Sequence, residues 1–63
     1  MKTQKKLVEL INSKGIKQSF IADSIGMDRD KLSKSMSLKR KLTVDEFGAI
    51  CMLLGVSFEF FKD

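Results

Sequence analysis

Apolar residues recur along this chain at intervals of three and four positions, which is the spacing of one face of an α-helix. Within about residues 3–13, Leu7, Leu10 and Ile11 fall on one face. Val8 widens that face. No stretch alternates between apolar and polar residues as a half-buried strand does. The sequence therefore predicts an all-α protein.

Glycines and capping residues divide the chain into five short helices, with no linker or repeat between them. Gly15, Gly26 and Gly55 each follow an apolar segment, and glycine takes the left-handed conformation of a helix end at little cost. In the second helix, either Phe20 or Ile21 points inward. The predicted helices cover about residues 3–13, 18–25, 29–36, 43–54 and 58–63.

The starts of these helices differ in the strength of their capping signals. Thr43 and Glu46 fit a capping box. Leu42 and Phe47 fit the hydrophobic staple around that box. Lys17, by contrast, stands where a Ser or Thr would cap the second helix. We therefore expect a well-defined start for the fourth helix and a frayed start for the second.

The composition indicates one small soluble domain in a reducing cytoplasm. The chain has 63 residues, of which 43% are hydrophobic and 32% are charged. Its single Cys excludes an internal disulfide, and the lack of an apolar run of about 18 residues excludes a membrane-spanning helix. The formal net charge of +4 suits a polyanionic partner, although the same charge also serves solubility.

The residue types that catalysis or metal binding needs are missing or wrongly spaced. The chain has no His, and Cys51 lies in the apolar stretch AICMLL, so we interpret it as a small buried hydrophobe. Asp45 and Glu46 are adjacent on a helix and therefore diverge. Asp28 and Asp30 lack the further ligands of an EF-hand. We expect no enzyme activity, no cofactor and no metal site.

Residues 18–37, QSFIADSIGMDRDKLSKSMS, read as a helix, a glycine turn and a second helix. This stretch resembles the helix-turn-helix of phage Cro and CI repressors and of the related XRE-type bacterial regulators. The following stretch, LTVDEFGAICMLLGVSFEFF, is similar to the family's fourth helix and to the entry of its fifth. The resemblance thus covers nearly all of the chain. The matching residues of the hairpin are Gln18, Ile21, Ala22, Ile25, Gly26, Met27 and Leu32.

The matching positions have physical roles in such a hairpin. Ala22 lies where the two helices cross, and a larger side chain would hold them apart. Gly26 takes a positive φ in the tight turn. Ser35 departs from the pattern, because many relatives place an apolar residue there. Four apolar side chains are expected to hold the hairpin to the domain: Ile21, Ile25, Met27 and Leu32.

The resemblance implies a compact five-helix lambda-repressor-like domain that binds an operator in double-stranded DNA and regulates transcription, with repression as the expected outcome. In that family the second helix of the hairpin enters the major groove and the first braces against the backbone. Carried over to this chain, the groove-facing positions are Asp28, Arg29, Asp30, Ser33 and Lys34. The positions expected at the DNA backbone are Gln18, Ser19, Ser37, Lys39, Arg40 and Lys41.

Several of these positions have a second interpretation. Asp28 is expected first to cap the helix, because it precedes the helix and matches its positive end. Arg29 either binds a guanine or pairs with a phosphate or with a carboxylate of its own helix. We expect Asp30 to pair with Lys34, although Arg29, Lys31 or a cytosine amino group are alternative partners.

The tail of the chain is rich in aromatic residues. A dimer contact through this tail would suit a family that binds two DNA half-sites about one turn apart. Alternatively, two of the rings cap the core and one is partly exposed. A different function is also open, in which the chain binds a partner repressor and has little DNA affinity of its own. The rings concerned are Phe58, Phe60 and Phe61.

Overall fold

The computed structural model describes residues 2–61, except for the side chains at positions 2, 58 and 60. This part of the chain is all helical and contains no strand, which confirms the predicted fold class. None of its helices is both long and apolar enough to cross a lipid bilayer. The elements are α1 (Lys2–Lys14), α2 (Gln18–Ile25), α3 (Arg29–Met36), α4 (Val44–Leu54) and a 3-10 turn (Phe58–Phe61).

The fifth predicted helix is a single 3-10 turn of four residues. The Oγ atom of Ser57 accepts a hydrogen bond of 3.2 Å from the N–H of Glu59 and caps the start of this turn. Such short segments are typical of 3-10 geometry, because an α-helix needs more residues to offset the cost of its first turn. The bounds of the four α-helices lie within about one residue of the predicted ones.

Two glycines end their helices in the left-handed conformation, as predicted. Gly26 has a φ of 70°, and the next N–H, that of Met27, donates to the carbonyl of Ala22 at 2.8 Å. Gly55 has a φ of 68° and ends α4 in the same way. A Cβ atom at either glycine would meet nothing within 4 Å, so the requirement for glycine is conformational and not steric.

The helix starts also follow the sequence signals. In the capping box of α4, the N–H of Glu46 donates to Oγ1 of Thr43 at 3.1 Å, and the N–H of Thr43 donates to Oε1 of Glu46 at 2.9 Å. Asp28 caps α3, because its Oδ1 accepts from the N–H of Asp30 at 2.8 Å. Lys17 precedes α2 and gives it no side-chain cap. The missing cap at α2 is therefore confirmed.

The core is one cluster to which all four helices and the 3-10 turn contribute. Of the two candidates in α2, Ile21 is buried and Phe20 is 56% exposed. The ring of Phe61 packs on that of Phe47 in a T-shaped arrangement with 5.1 Å between the ring centroids. The buried apolar residues are Leu7, Ile11, Ile21, Ala22, Leu32, Met36, Leu42, Phe47, Ile50, Cys51 and Phe61.

A buried glutamine ties α1 to the connection between α3 and α4. Gln4 is only 2% exposed. Its Nε2 donates to the carbonyl oxygens of Ser35 at 2.9 Å and of Arg40 at 2.8 Å. Its Oε1 accepts from the N–H of Leu42 at 3.0 Å. One side chain in the first turn of α1 therefore binds the backbone at the end of α3 and again near the start of α4.

Ser35 and Arg40 continue this network. The hydroxyl of Ser35, which is fully buried, donates to the carbonyl of Lys31 at 3.1 Å and accepts from Nη1 of Arg40 at 3.0 Å. The two Nη atoms of Arg40 also donate to the two carboxylate oxygens of Glu46, each at 3.0 Å. These bonds lower the pKa of Glu46, with Arg40 as the main cause. We name the set Gln4, Ser35, Arg40 and Glu46 the polar cluster.

Candidate nucleic-acid interface

The hairpin predicted at residues 18–37 is formed by two short helices that share the core. α2 and α3 have eight residues each, and residues 26–28 join them. Ala22 and Leu32 are fully buried, and Ile25 and Met27 pack partly buried against the same cluster. In the described part of the chain, the side of α3 that faces away from this packing is exposed to solvent.

The position of each residue on α3 follows from the 100° rotation between successive residues of a helix. The side opposite the buried residues is polar and solvent-exposed. Arg29 and Lys31 lie on its two flanks, Arg29 toward one side and Lys31 toward the other. The buried residues are Leu32, Ser35 and Met36. We name as the outer face of α3 the residues Asp30, Ser33, Lys34 and, just after the helix, Ser37.

Arg29 pairs with a carboxylate that the sequence interpretation did not consider. Its Nε donates to Oδ1 of Asp23 at 3.1 Å, and its Nη2 donates to Oδ2 at 2.6 Å. Both side chains are largely exposed, at 66% for Arg29 and 59% for Asp23. Their hydrogen bonds lower the pKa of the Asp23 carboxyl and raise that of the guanidinium. The pair links α2 to the first residue of α3.

The two other acidic residues at the start of α3 differ in their surroundings. Asp28 caps the helix, as expected. Asp30 does not form the expected ion pair with Lys34, to judge from the interactions of the described residues. An exposed pair of this kind is worth only about 0.3–0.5 kcal/mol, too little to hold two long side chains together. The Asp30 carboxylate and the Lys34 ammonium are therefore both exposed on the outer face but are not paired with each other.

The start of α2 offers groups that suit an anion. The first N–H groups of a helix have no partner inside it, and in α2 the side chain of Lys17 does not accept from them either. Gln18 is exposed and Ser19 is half-buried in this first turn. Ser37 directly follows α3, and its hydroxyl donates to the carbonyl of Lys34 at 3.0 Å. An uncapped helix start is a favourable place for a phosphate.

The basic connection after α3 divides into two kinds of residue. Lys39 and Lys41 are exposed, as a backbone contact requires. Arg40 is turned inward, with 28% of its side chain exposed, and is bound to Ser35 and Glu46. Three N–H groups of its guanidinium bind the buried hydroxyl and the carboxylate, which gives Arg40 a structural role, and its expected contact with the DNA backbone stays a prediction.

Of the three rings that were predicted to form a dimer contact, only the position of Phe61 is described. Phe61 is 4% exposed and packs in the core of its own chain, so its ring does not form a surface. The side chains of Phe58 and Phe60 lie outside the described residues. The most exposed large apolar side chains of the described part are instead Val44 and Met52, each at 84%. They are eight residues apart on α4 and therefore share one side of that helix.

Sequence reasoning missed Asp23, and it missed the burial of Gln4 and Ser35. A signal for the last two was present. Gln4 falls at the helical spacing of Leu7 and Ile11, and Ser35 falls beside Leu32 in the same way. A polar residue on an apolar face must find a hydrogen-bond partner once it is buried. No such signal marks Asp23, whose partner is six residues away across the turn.

The described residues contain no group of His, Cys, Asp and Glu side chains that could hold a metal ion. Comparison of the chain with protein-family models, with curated proteins and with solved structures finds no match. The case for a function therefore rests on the geometry of the hairpin and on the resemblance of its sequence.

Proposed function

We propose that this protein is a sequence-specific DNA-binding regulator of transcription, with α3 as its recognition helix in the major groove. The observation that carries the proposal is the exposed, polar outer face of α3. A helix of eight residues is about 12 Å long, and the major groove of B-DNA is about 12 Å wide. The core holds α3 by its opposite side, so the side chains of the outer face are not needed for packing.

Contacts with the DNA backbone would come from both ends of the hairpin. The uncapped start of α2, with Gln18 and Ser19, suits one phosphate. The exposed ammonium groups of Lys39 and Lys41 suit phosphates beyond the other end of α3. The polar cluster fixes the backbone of this connection, so the two lysines extend from a defined loop. The net charge of +4 acts in the same direction.

Contacts with base edges would come from the outer face and from its Arg29 flank. Lys34 and Ser33 carry hydrogen-bond donors, and Arg29 carries the donor pair that matches guanine. The carboxylate of Asp30 is an acceptor and suits the amino group of a cytosine. Asp28 belongs to the helix cap, and its charge compensates the helix dipole beside the groove.

A dimer would place two copies of α3 on successive turns of the DNA. Proteins of the helix-turn-helix type read two half-sites about 34–36 Å apart in this way. The resemblance to Cro and CI repressors favours repression of a phage or bacterial promoter. A palindromic binding site would be the signature of a dimer.

A second function is favoured by one observation, the exposure of Val44 and Met52 on the same side of α4. Such a side suits a protein partner, for example another repressor that this chain would modulate. In that case the chain would bind DNA weakly and without sequence preference. The two functions therefore differ in one measurable property, the preference for a DNA sequence.

The test is selection of binding sites from a random duplex library, followed by titration of the enriched site at about 50 and 200 mM salt. We expect an enriched site, with an affinity that falls steeply as salt rises. Absence of enrichment, with only weak binding at low salt, would refute the proposal in favour of the protein-partner function.

Two lysines of α3 provide a matched pair of variants. Lys34→Gln removes a charge from the outer face, whereas Lys31→Gln removes the same charge from the flank that faces away from Asp23. We expect Lys34→Gln to weaken binding to the enriched site and to change the base preference at one position. Lys31→Gln should weaken binding to all sequences alike. Identical effects of the two variants on base preference would contradict the assigned orientation of α3.

A further inference from the structure

The ion pair between Asp23 and Arg29 fixes the orientation of the guanidinium more than it stabilises the fold. Both side chains are more than half exposed, and exposed ion pairs contribute little to folding because water and salt screen them. The pair is nevertheless bidentate, with one hydrogen bond to each oxygen of the carboxylate. Two parallel bonds fix the plane of a guanidinium as well as its position.

The contact leaves one edge of the guanidinium unused. A guanidinium has five N–H groups in a fixed fork. Asp23 takes the side edge, which consists of Nε and one hydrogen of Nη2. The tip, which consists of Nη1 and the second hydrogen of Nη2, keeps two parallel donors. This pair of donors is the one that an arginine needs to bind O6 and N7 of a guanine together.

We propose that Asp23 is a positioning residue for DNA recognition, which holds Arg29 so that the tip of its guanidinium reads one guanine in the major groove. This inference rests on the proposed function of α3. The partner is a guanine and not a phosphate, because Asp23 is itself an anion and raises the energy of a phosphate beside it. A base edge in the groove has no such charge.

The proposal predicts opposite effects on affinity and on specificity when Asp23 loses its charge. Without the carboxylate, Arg29 turns freely and reaches phosphates at many sequences. Affinity for unrelated DNA should therefore rise, since one negative charge near the backbone is removed. The preference for guanine should fall at the same time. A purely electrostatic role of Asp23 would raise the affinity for all sequences by the same factor and leave the preference unchanged.

The experiment uses the full chain and the site enriched by wild type. Kd is measured for that site and for duplexes with each other base at the position where Arg29→Lys loses its preference. Wild type should prefer guanine by at least about tenfold, within the range of a bidentate arginine contact. Asp23→Asn should reduce this ratio to about threefold or less, and Asp23→Ala should do the same. Asp45→Asn, which removes an equal charge from α4, should leave the ratio unchanged.

The double variant Asp23→Asn/Arg29→Lys completes a cycle. It should show no further loss of guanine preference beyond Arg29→Lys alone, because Asp23 acts only through Arg29. A guanine preference that is retained or increased in Asp23→Asn would overturn the inference while leaving the proposed function intact. Absence of any enriched site for wild type would overturn both. Far-UV circular dichroism of each variant verifies that the helices are unchanged.

Discussion

Replacement of Gln4 by Leu tests whether one buried side chain holds the connection between α3 and α4. Leucine has a similar length and a similar helix propensity, so the change removes mainly the hydrogen bonds. Three bonds disappear, two from Nε2 and one to Oε1. The carbonyl of Ser35 keeps the N–H of Leu38 as a donor at 3.1 Å. The carbonyl of Arg40 and the N–H of Leu42 lose the bonds that Gln4 provides.

The expected loss follows from the cost of leaving two such groups without partners. Each unsatisfied buried group costs about 1–3 kcal/mol. The carbonyl of Arg40 is only partly buried, so we expect Gln4→Leu to destabilise the fold by about 2–4 kcal/mol, the lower part of the summed range. A domain of 63 residues is stable by about 3–9 kcal/mol in total. The variant should therefore lose a large share of its stability. The corresponding fall in Tm is about 10–25 °C for a domain of this size.

The assay is unfolding by urea, followed by circular dichroism at the helix band, because the chain has no Trp or Tyr for fluorescence. The control is Gln18→Leu, since Gln18 is the only other glutamine and is exposed. We expect the control to change the free energy of unfolding by less than about 0.5 kcal/mol. Equal losses in the two variants would refute the assigned hydrogen bonds of Gln4.

Two further predictions concern the helix starts and acid stability. Lys17→Ser should stabilise the fold by about 0.5–1 kcal/mol in urea unfolding, because position 17 already has the extended φ and ψ of a cap; no gain would mean that the start of α2 needs no cap. Glu46 has a lowered pKa in the folded state, chiefly through Arg40, so its contribution is present above the ordinary value of 4.5 and is lost as pH falls through the folded-state pKa. Glu46→Gln should therefore have a lower Tm than wild type at neutral pH, and its Tm should depend less on pH below about pH 4.5. Parallel profiles of Tm against pH for the two proteins would contradict this assignment.

Local signals predicted most of the fold. The helix ends at Gly26 and Gly55 and the capping box of Thr43 were all readable, because each is satisfied by residues within a few positions along the chain. The spacing of the apolar residues predicted which side of each helix is buried, for the same reason. Only the length of the last element differed, since the balance between a 3-10 turn and an α-helix depends on how many residues can join it.

Long-range partners were not predictable in this way. Gln4 binds groups 31, 36 and 38 residues away, and no local pattern specifies such a distance. Arg40 is the middle one of three consecutive basic residues, and no local signal distinguishes it from the two lysines. Its partner Glu46 comes near it only in the fold. For Arg29 the sequence predicts a guanine, a phosphate or a carboxylate of its own helix, whereas the carboxylate that binds it belongs to α2, across the turn. A charged side chain can pair with several partners in the sequence, and the fold determines which of them lies within bonding distance.

The polar cluster has a consequence for how this sequence can change over evolution. The side chains of Ser35 and Glu46 both bind the guanidinium of Arg40, so the loss of Arg40 removes a partner from both of them. An apolar residue at position 35 would remove one partner of Arg40. Among natural variants of this chain, positions 35, 40 and 46 should therefore change together, while the exposed positions of the outer face are free to change independently.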